Sequence, residues 1–336
     1  MKVFLTLLVV VLAGASLWGM SLWQEPLELE RFDNVGLGAA YISPNGNSLL
    51  NWQQSLSEQT QNRMSCYSPD WQDQWQFSID EGVRAISGNS DSYFYVYSDS
   101  WDMRVCKISR NGNQNWGNSG VLFFSPDEYS QINELILLPD SEGGVFIVWK
   151  SEQYPDDRVR IQYVNPSGLP TMTGEDMNIA ENETIYLEDA ILFSDGSVAV
   201  TTAVRGMVHL YKINKSGLRE WHREIVTEPI RLPHAAVSTA GADNIILGLA
   251  HGDRAGIIRY DYYGTALAAE QTLCSPGEEN ARYIELTPSE DDCIYVSVRN
   301  YPKSVNLLQK LSNTGELLYP NFISLYDTGH DINFGI

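Results

Sequence analysis

The chain is poor in basic residues. It carries 22 Lys and Arg against 43 Asp and Glu, which gives a formal net charge of −21 over 336 residues. A surface this acidic repels the phosphates of nucleic acids and of anionic lipids. We therefore expect neither nucleic-acid binding nor attachment to a membrane surface through a basic face.

Motifs that mark common catalytic and metal sites are also missing. The four cysteines form no C-x-x-C pair, which argues against zinc-ribbon and thioredoxin chemistry. There is no G-x-S-x-G nucleophile elbow, no H-E-x-x-H metal motif and no G-x-G-x-x-G dinucleotide loop. The sequence therefore assigns no catalytic residue, no metal ligand and no cofactor.

Two sets of scattered residues leave room for a site that only the fold would assemble. The histidines are spread among different parts of the chain, at His209, His222, His234, His251 and His330. Acidic turns offer carboxylates for weak calcium binding, at Asp140, Glu142, Asp291 and Asp292, but none has the spacing of a calcium-binding loop. We interpret both sets as residues without a catalytic or metal-binding role. The alternative is that the fold assembles a Ser/His/Asp triad or a metal site from them.

Long apolar runs are absent after the N-terminus, where no segment approaches the 18 residues of a membrane-spanning helix. The N-terminus itself is typical of a secretory signal. Lys2 supplies a positive charge, residues 3–12 form an apolar core, and Ala13-Gly14-Ala15 gives the small-x-small pattern of a cleavage site. We expect residues 1–15 to be removed, with cleavage after Gly19 as an alternative, and the mature chain to be secreted, periplasmic or on the cell surface.

What the chain does have is an internal repeat. In this repeat, a strand of alternating apolar and polar residues is followed by a turn that contains a glycine. In the most faithful copies an aromatic residue stands four positions after that glycine. The copies are Gly112 with Trp116, Gly217 with Trp221, Gly315 with Tyr319, the weaker Gly168 and Gly264, and a degenerate first copy with Trp75.

The spacing of the repeat predicts the fold. The five glycines lie 56, 49, 47 and 51 residues apart. A period near fifty with four short strands matches one blade of a β-propeller. The sequence therefore predicts an all-β propeller over residues 36–325, with six four-stranded antiparallel blades. Seven blades are the alternative if the chain is a truncated relative of a larger propeller. Residues 16–35 or 326–336 are expected to close the ring.

The phrase x-Lys-Ile-Asn-x-x-Gly-x-x-x-Trp around Gly217 resembles the tryptophan-docking repeat of quinoprotein-like propellers, including the periplasmic outer-membrane assembly lipoprotein family. It is also similar to the repeats of secreted bacterial propellers of the seven-bladed and delta-sixty types. The resemblance implies that the glycine allows a tight turn and that Trp116 and Trp221 pack on the next blade. Met172 and Ala268 depart from the pattern. The quinone and calcium residues of quinoprotein dehydrogenases have no counterpart here, so that activity is not implied.

The absence of a catalytic motif favours a non-enzymatic propeller that binds a protein or a glycan at the cell envelope or outside the cell. Loop aromatics such as Trp101, Tyr129 and Tyr154 are candidates for the binding face. The alternative is a carbohydrate-active hydrolase or lyase that uses carboxylates in the central funnel, and a purely structural surface repeat is a third reading. Carboxylates that converge with raised pKa values would favour the enzyme.

The cysteines are expected to remain thiols despite export. Cys66 and Cys106 fall on corresponding strands of different blades, and Cys274 and Cys293 fall at opposite ends of their blades. A disulfide needs Cα atoms within about 7 Å. The sequence therefore predicts that none of the four cysteines forms a disulfide.

Overall fold

The computed structural model describes residues 35–326, apart from gaps at 57–58, 80–81, 126–130, 153–155, 174–177, 183, 228–232, 241–242, 252–253, 275–279, 290–292, 302–304, 313 and 319–322. Within these ranges the regular structure consists of strands, and no helix there is long and apolar enough to cross a membrane. The predicted signal, and all but one residue of each segment expected to close the ring (residues 16–34 and 327–336), lie outside the described residues.

The strands form six sheets of four, each an antiparallel meander in chain order. Blade 1 holds β1 (Val35–Ile42), β2 (Ser48–Leu56), β3 (Gln59–Tyr67) and β4 (Asp73–Ile79), and blade 2 holds β5 (Val83–Gly88), β6 (Ser92–Asp99), β7 (Asp102–Ser109) and β8 (Val121–Phe124). Blade 3 holds β9 (Gln131–Pro139), β10 (Val145–Glu152), β11 (Asp157–Val164) and β12 (Asn178–Asn182), and blade 4 holds β13 (Tyr186–Leu192), β14 (Val198–Val204), β15 (Met207–Ile213) and β16 (Arg219–Val226). Blade 5 holds β17 (His234–Ala240), β18 (Asn244–His251), β19 (Arg254–Tyr260) and β20 (Gln271–Cys274), and blade 6 holds β21 (Asn280–Pro288), β22 (Cys293–Tyr301), β23 (Val305–Ser312) and β24 (Ile323–Tyr326).

The first strand of each blade is the innermost one. β1 lies against β5, β5 against β9, β9 against β13, β13 against β17 and β17 against β21, so the first strands follow one another around a central axis. This arrangement confirms the prediction of a six-bladed, all-β propeller. The stretch around Ile132, Leu135 and Ile136, whose spacing in the sequence imitates a helix, is the inner strand of blade 3.

The hydrophobic core lies between blades rather than inside one of them. In β10, Val145, Ile147 and Trp149 pack towards blade 2, whereas Phe146 and Val148 pack towards blade 4. Alternate residues of a strand point to opposite faces of the sheet, so a strand between two neighbours must be apolar at every position. The continuous apolar run of β10 therefore follows from its place in the ring.

The repeated glycines form the turn between the third and fourth strands of their blades. In blade 2, the N–H of Gly112 donates to the carbonyl of Ser109, and the N–H of Ser109 donates to the carbonyl of Asn113. The glycine has φ of +81°, a left-handed conformation that residues with a Cβ atom rarely adopt. The same left-handed conformation recurs at Gly168, Gly217, Gly264 and Gly315.

The equivalent turn of blade 1 departs from the repeat, since Trp71 stands where the other blades have glycine. Trp71 has φ of +60°, and its N–H donates to the carbonyl of Ser68 at 2.8 Å. The turn geometry is thus retained although its residue is unfavourable for it. The first copy of the repeat is therefore degenerate in sequence but keeps the same turn.

Candidate functional site

The repeated tryptophans lie at the boundaries between successive blades. Trp221 of blade 4 lies on the turn of blade 5, where a Cβ atom added to Gly264 would come within 2.9 Å of the indole ring. The indole Nε1 donates a hydrogen bond of 3.2 Å to the carbonyl of Tyr262, two residues before that glycine. The glycine therefore serves the turn and the close approach of the ring together.

Two further tryptophans are placed in the same way. Trp116 of blade 2 would lie 3.0 Å from a Cβ atom on Gly168 of blade 3, and its Nε1 donates to the Pro166 carbonyl at 3.1 Å. Trp75 of blade 1 would lie 2.8 Å from a Cβ atom on Gly112, and it donates at 2.7 Å to the carbonyl two residues before that glycine. Each ring thus contacts the blade that follows its own. Tyr319, in the same position of blade 6, lies outside the described residues.

Where the tryptophan is absent, other side chains join the blades. Met172 of blade 3 is buried in the core between blades 3 and 4. Thr171 Oγ1 donates at 3.0 Å to the carbonyl of Lys215, which again stands two residues before the glycine of the next blade. In blade 5 the guanidinium of Arg259 donates to the carbonyl of Thr314 in the turn of blade 6.

Carboxylates lie at the centre of the ring, on the first strands. Glu134 of β9 accepts a hydrogen bond of 2.8 Å from the N–H of Leu187 in blade 4. Glu188 of β13 accepts one of 3.2 Å from the N–H of Ala235 in blade 5. Glu134 and Glu188 both occupy irregular positions, where the register of β9 with β10 and of β13 with β14 shifts. The extra residue of a β-bulge re-aims its side chain, here towards the neighbouring inner strand.

A third carboxylate repeats this contact between blades 4 and 5. Asp189 Oδ2 accepts a hydrogen bond of 2.8 Å from the N–H of Val237, and Oδ1 accepts one of 2.8 Å from the N–H of Ala190. Burial raises the pKa of Asp189 to about 6, although both hydrogen bonds oppose the shift and the charge of Glu285 in blade 6 adds to it. The inner strands are thus joined by carboxylate-to-backbone hydrogen bonds.

Among the carboxyl groups that the structure describes, Glu188 is the one whose ionisation is most strongly opposed by its surroundings. Its side chain is 9% exposed. Burial raises the pKa of Glu188 to about 8, the Ala235 N–H opposes the shift, and the charges of Glu134 and Asp189 raise it further. The group is therefore largely protonated at neutral pH. Glu134 and Glu285 also have pKa values raised by burial.

His234 stands beside Glu188 at the start of β17. Its Nε2 lies 3.5 Å from Glu188 Oε2, and its ring meets that of Tyr283 edge-on with centroids 4.8 Å apart. Burial lowers the pKa of His234 to about 4, so the imidazole is neutral at pH 7. A neutral imidazole next to a protonated carboxyl carries no net charge, which suits a site of low polarity.

A second cluster lies on the two outer strands of blade 4. His209 is directly opposite Glu224, and Tyr211 is directly opposite His222, in the register of β15 with β16. The His209 Nδ1 and His222 Nε2 atoms are 3.0 Å apart. One ligand atom from each of His209, His222 and Glu224 lies within 4.8 Å of the other two.

This cluster corrects the sequence interpretation that the histidines are spread among different parts of the chain. His209 and His222 belong to one blade and are in contact. The turn at Gly217 could have revealed the contact, because a hairpin about that turn sets residues 209 to 212 opposite residues 224 to 221. The acidic turn of blade 3, by contrast, has its carboxylates engaged, since Lys215 Nζ lies 2.9 Å from Asp140 and from Glu142.

The end of the propeller that carries the third-to-fourth turns also carries exposed apolar side chains. They come from four consecutive blades and are between 46% and 73% exposed. We call this set the apolar arc; its members are Leu169, Leu218, Tyr263, Leu267 and Leu318. Of the loop aromatics singled out in the sequence, Trp101 is exposed on a turn at the opposite end. Tyr129 and Tyr154 lie outside the described residues.

The sequence matches no protein-family model and no curated protein. Its fold is similar to that of a prolyl endopeptidase, with 13% identity and a TM-score of 0.58 over 88% of this chain and 43% of the peptidase. It is also similar to prolyl oligopeptidase B from Galerina marginata, with 10% identity and a TM-score of 0.54 over 86% and 42% of the two chains. A protein from Lactobacillus plantarum matches with 10% identity and a TM-score of 0.51 over 85% and 84%. The chain spans less than half the length of the two peptidases, and identities this low show a shared propeller fold alone.

Proposed function

We propose that this chain is a non-catalytic binding protein that recognises a protein partner through the apolar arc. The observation that carries the proposal is the repetition of exposed apolar side chains at one end of four consecutive blades. Exposed apolar side chains that recur at one end of successive blades are candidates for an interaction surface. Aliphatic residues dominate the arc, which favours a protein over a glycan, because sugars are recognised by aromatic platforms with polar neighbours.

The carboxylates at the centre of the ring are better explained as structural groups than as catalysts. Glu134, Glu188 and Asp189 each accept a hydrogen bond from a backbone N–H of the next blade. Each therefore satisfies a donor that the inner strand of a ring would otherwise leave unpaired. This use of the carboxylates supports a binding role for the propeller as a whole.

The proposal includes export. It is supported by the positive charge of Lys2, the apolar residues 3–12 and the Ala13-Gly14-Ala15 pattern. The chain should be recovered outside the cytoplasm with a new N-terminus at Ser16 or Met20. Recovery of the uncleaved chain in the cytoplasm would contradict this part of the proposal.

The binding role is tested by capturing partners from the envelope and medium of the source organism. We expect a specific protein to bind the mature chain and to be lost with the variant Leu169→Asp/Leu218→Asp. Val226→Asp is the matched control, because Val226 is 80% exposed and ends β16 at the opposite end of the propeller. Capture that survives the double variant, or is lost equally with the control, would contradict the role of the apolar arc.

A second candidate function is carboxylate catalysis on a glycan, and Glu188 is the observation that favours it. A carboxyl with a pKa of about 8 beside the charge of Glu134 has the features of a general acid next to a second carboxylate. Hydrolysis of any member of a glycan panel that is abolished by Glu188→Gln and retained by the exposed Glu316→Gln would establish it. No turnover on the panel would leave binding as the function.

A further inference from the structure

We propose that His209 Nδ1, His222 Nε2 and a carboxylate oxygen of Glu224 form a binding site for a divalent transition-metal ion of the Zn²⁺ class. The site lies on the outer half of blade 4, away from both the central carboxylates and the apolar arc. It therefore stands independently of the proposed binding function.

The backbone places the three ligands on one face of the sheet. Residues directly opposite each other in an antiparallel pair share a face, as do residues two apart along a strand. His209 is opposite Glu224, and His222 is two residues before Glu224, so all three side chains project from the same side of β15 and β16. No loop has to close to bring them together.

The distances suit a tetrahedral ion. Zinc binds imidazole nitrogen at about 2.0–2.1 Å and carboxylate oxygen at about 2.0–2.2 Å, which separates the ligand atoms by roughly 3.4 Å. The two imidazole nitrogens are 3.0 Å apart, and the three ligand atoms lie within 4.8 Å of one another. Small side-chain rotations therefore convert the present contact into a coordination triangle with a fourth position open to water.

The surroundings fix the imidazoles and leave the carboxylate available. The His222 ring stacks on Tyr211 with centroids 4.4 Å apart and planes inclined by 5°. Glu224 is exposed, and within the described ranges the structure gives its carboxylate no hydrogen bond or ion pair.

Neighbouring cations are held by other groups. The Arg219 guanidinium lies over the Tyr211 ring and donates to the carbonyl of Ile179. Arg223 donates through Nε to the carbonyl of Gly264 at 2.6 Å. Neither arginine pairs with Glu224, so its carboxylate remains available to an ion.

The two-histidine, one-carboxylate set also selects the ion. Imidazole favours Zn²⁺, Cu²⁺ and Ni²⁺, whereas Mg²⁺ and Ca²⁺ prefer sites made of oxygen alone. We therefore expect Zn²⁺ to bind and Mg²⁺ and Ca²⁺ to leave the site empty at comparable concentrations.

The test is calorimetric titration of the metal-free mature protein with Zn²⁺, together with Co²⁺ absorption as a report of tetrahedral geometry. We expect one ion per chain, and at least a tenfold loss of affinity in His222→Ala and in Glu224→Gln. His251→Ala, which removes an imidazole from blade 5, is the matched control and should retain wild-type affinity. Thermal unfolding in the presence of a chelator checks that each variant is folded. If His222→Ala does not fold, Glu224→Gln, which changes an exposed side chain, provides the test on its own.

Two results would overturn the proposal. One is no Zn²⁺ binding by the wild-type protein. The other is binding whose affinity is the same in the folded ligand variants as in the wild type, since the ion would then sit elsewhere. Failure here would leave the apolar arc untouched, because none of its residues is altered.

Discussion

The contact between Trp221 and Gly264 allows the energy of blade docking to be worked out and tested. An aromatic side chain buries 150–250 Å² when fully enclosed, and Trp221 is mostly buried, so roughly 150 Å² leaves water at about 25 cal/mol per Å². That contributes about 4 kcal/mol. The hydrogen bond to Tyr262 adds about 1 kcal/mol. We expect Trp221→Ala to lower the free energy of unfolding by about 4 kcal/mol, because the alanine still buries its Cβ atom.

The glycine side of the contact has a control within the chain. Gly264→Ala places a Cβ atom 2.9 Å from the indole ring and also at φ of +76°. Gly117→Ala imposes the same backbone cost at φ of +80°, but nothing lies within 4 Å of its Cβ position. We expect Gly117→Ala to cost about 1 kcal/mol from the left-handed backbone alone. Gly264→Ala should cost more, because its ring contact must also give way.

Urea unfolding of the single variants and of Trp221→Ala/Gly264→Ala completes the cycle. Once the ring is removed, Gly264→Ala should cost no more than Gly117→Ala does. The double variant should therefore be more stable than the sum of the single effects predicts. Strict additivity, or equal costs for the two glycines in the wild type, would refute the docking argument.

Three further predictions concern charge and thiols. Burial raises the pKa of Glu188 from 4.5 to about 8. Between these pH values Glu188 keeps its proton in the folded protein but loses it in the unfolded chain. The free energy of unfolding should therefore fall as pH rises from 4.5 to 8. Glu188→Gln should flatten that dependence of the unfolding free energy, and an unchanged profile would contradict the assignment. Burial alone would raise the pKa of Asp140, but hydrogen bonds from Tyr163 and Lys215 outweigh it and lower that pKa. Asp140→Asn should therefore cost about 3 kcal/mol at pH 7 and less in acid. An equal loss of stability at both pH values would contradict this. Thiol titration in denaturant without reductant should find four thiols, since Cys66, Cys106 and Cys293 form no disulfide among the described residues, and a lower count would reveal one.

Local chemistry explains why the fold was predictable. The glycine of the third-to-fourth turn in blades 2 to 6 is favoured by its positive φ, so it recurs at a regular spacing and reveals the period. The continuous apolar run of β10 is required by burial on both faces, so the run itself identifies a strand that lies between blades. Such constraints act within a few residues of one another and are therefore visible in a sequence.

Contacts between blades are different because they join residues about fifty positions apart. Glu134 bonds to Leu187, 53 residues later, and Glu188 bonds to Ala235, 47 residues later. No local pattern marks these carboxylates among the 43 acidic residues of the chain. Their raised pKa values depend on burial that only the assembled ring creates.

The amino-acid sequence is enough to establish the repeat and its period, because a left-handed turn and a doubly buried strand limit the amino acids that can stand at most of these positions. The three-dimensional arrangement is needed to establish which side chains meet. It sets Trp221 on Gly264 and joins the inner strands through carboxylates. The physical reason is that register and ring geometry, rather than neighbouring residues, set the distances between side chains on different strands.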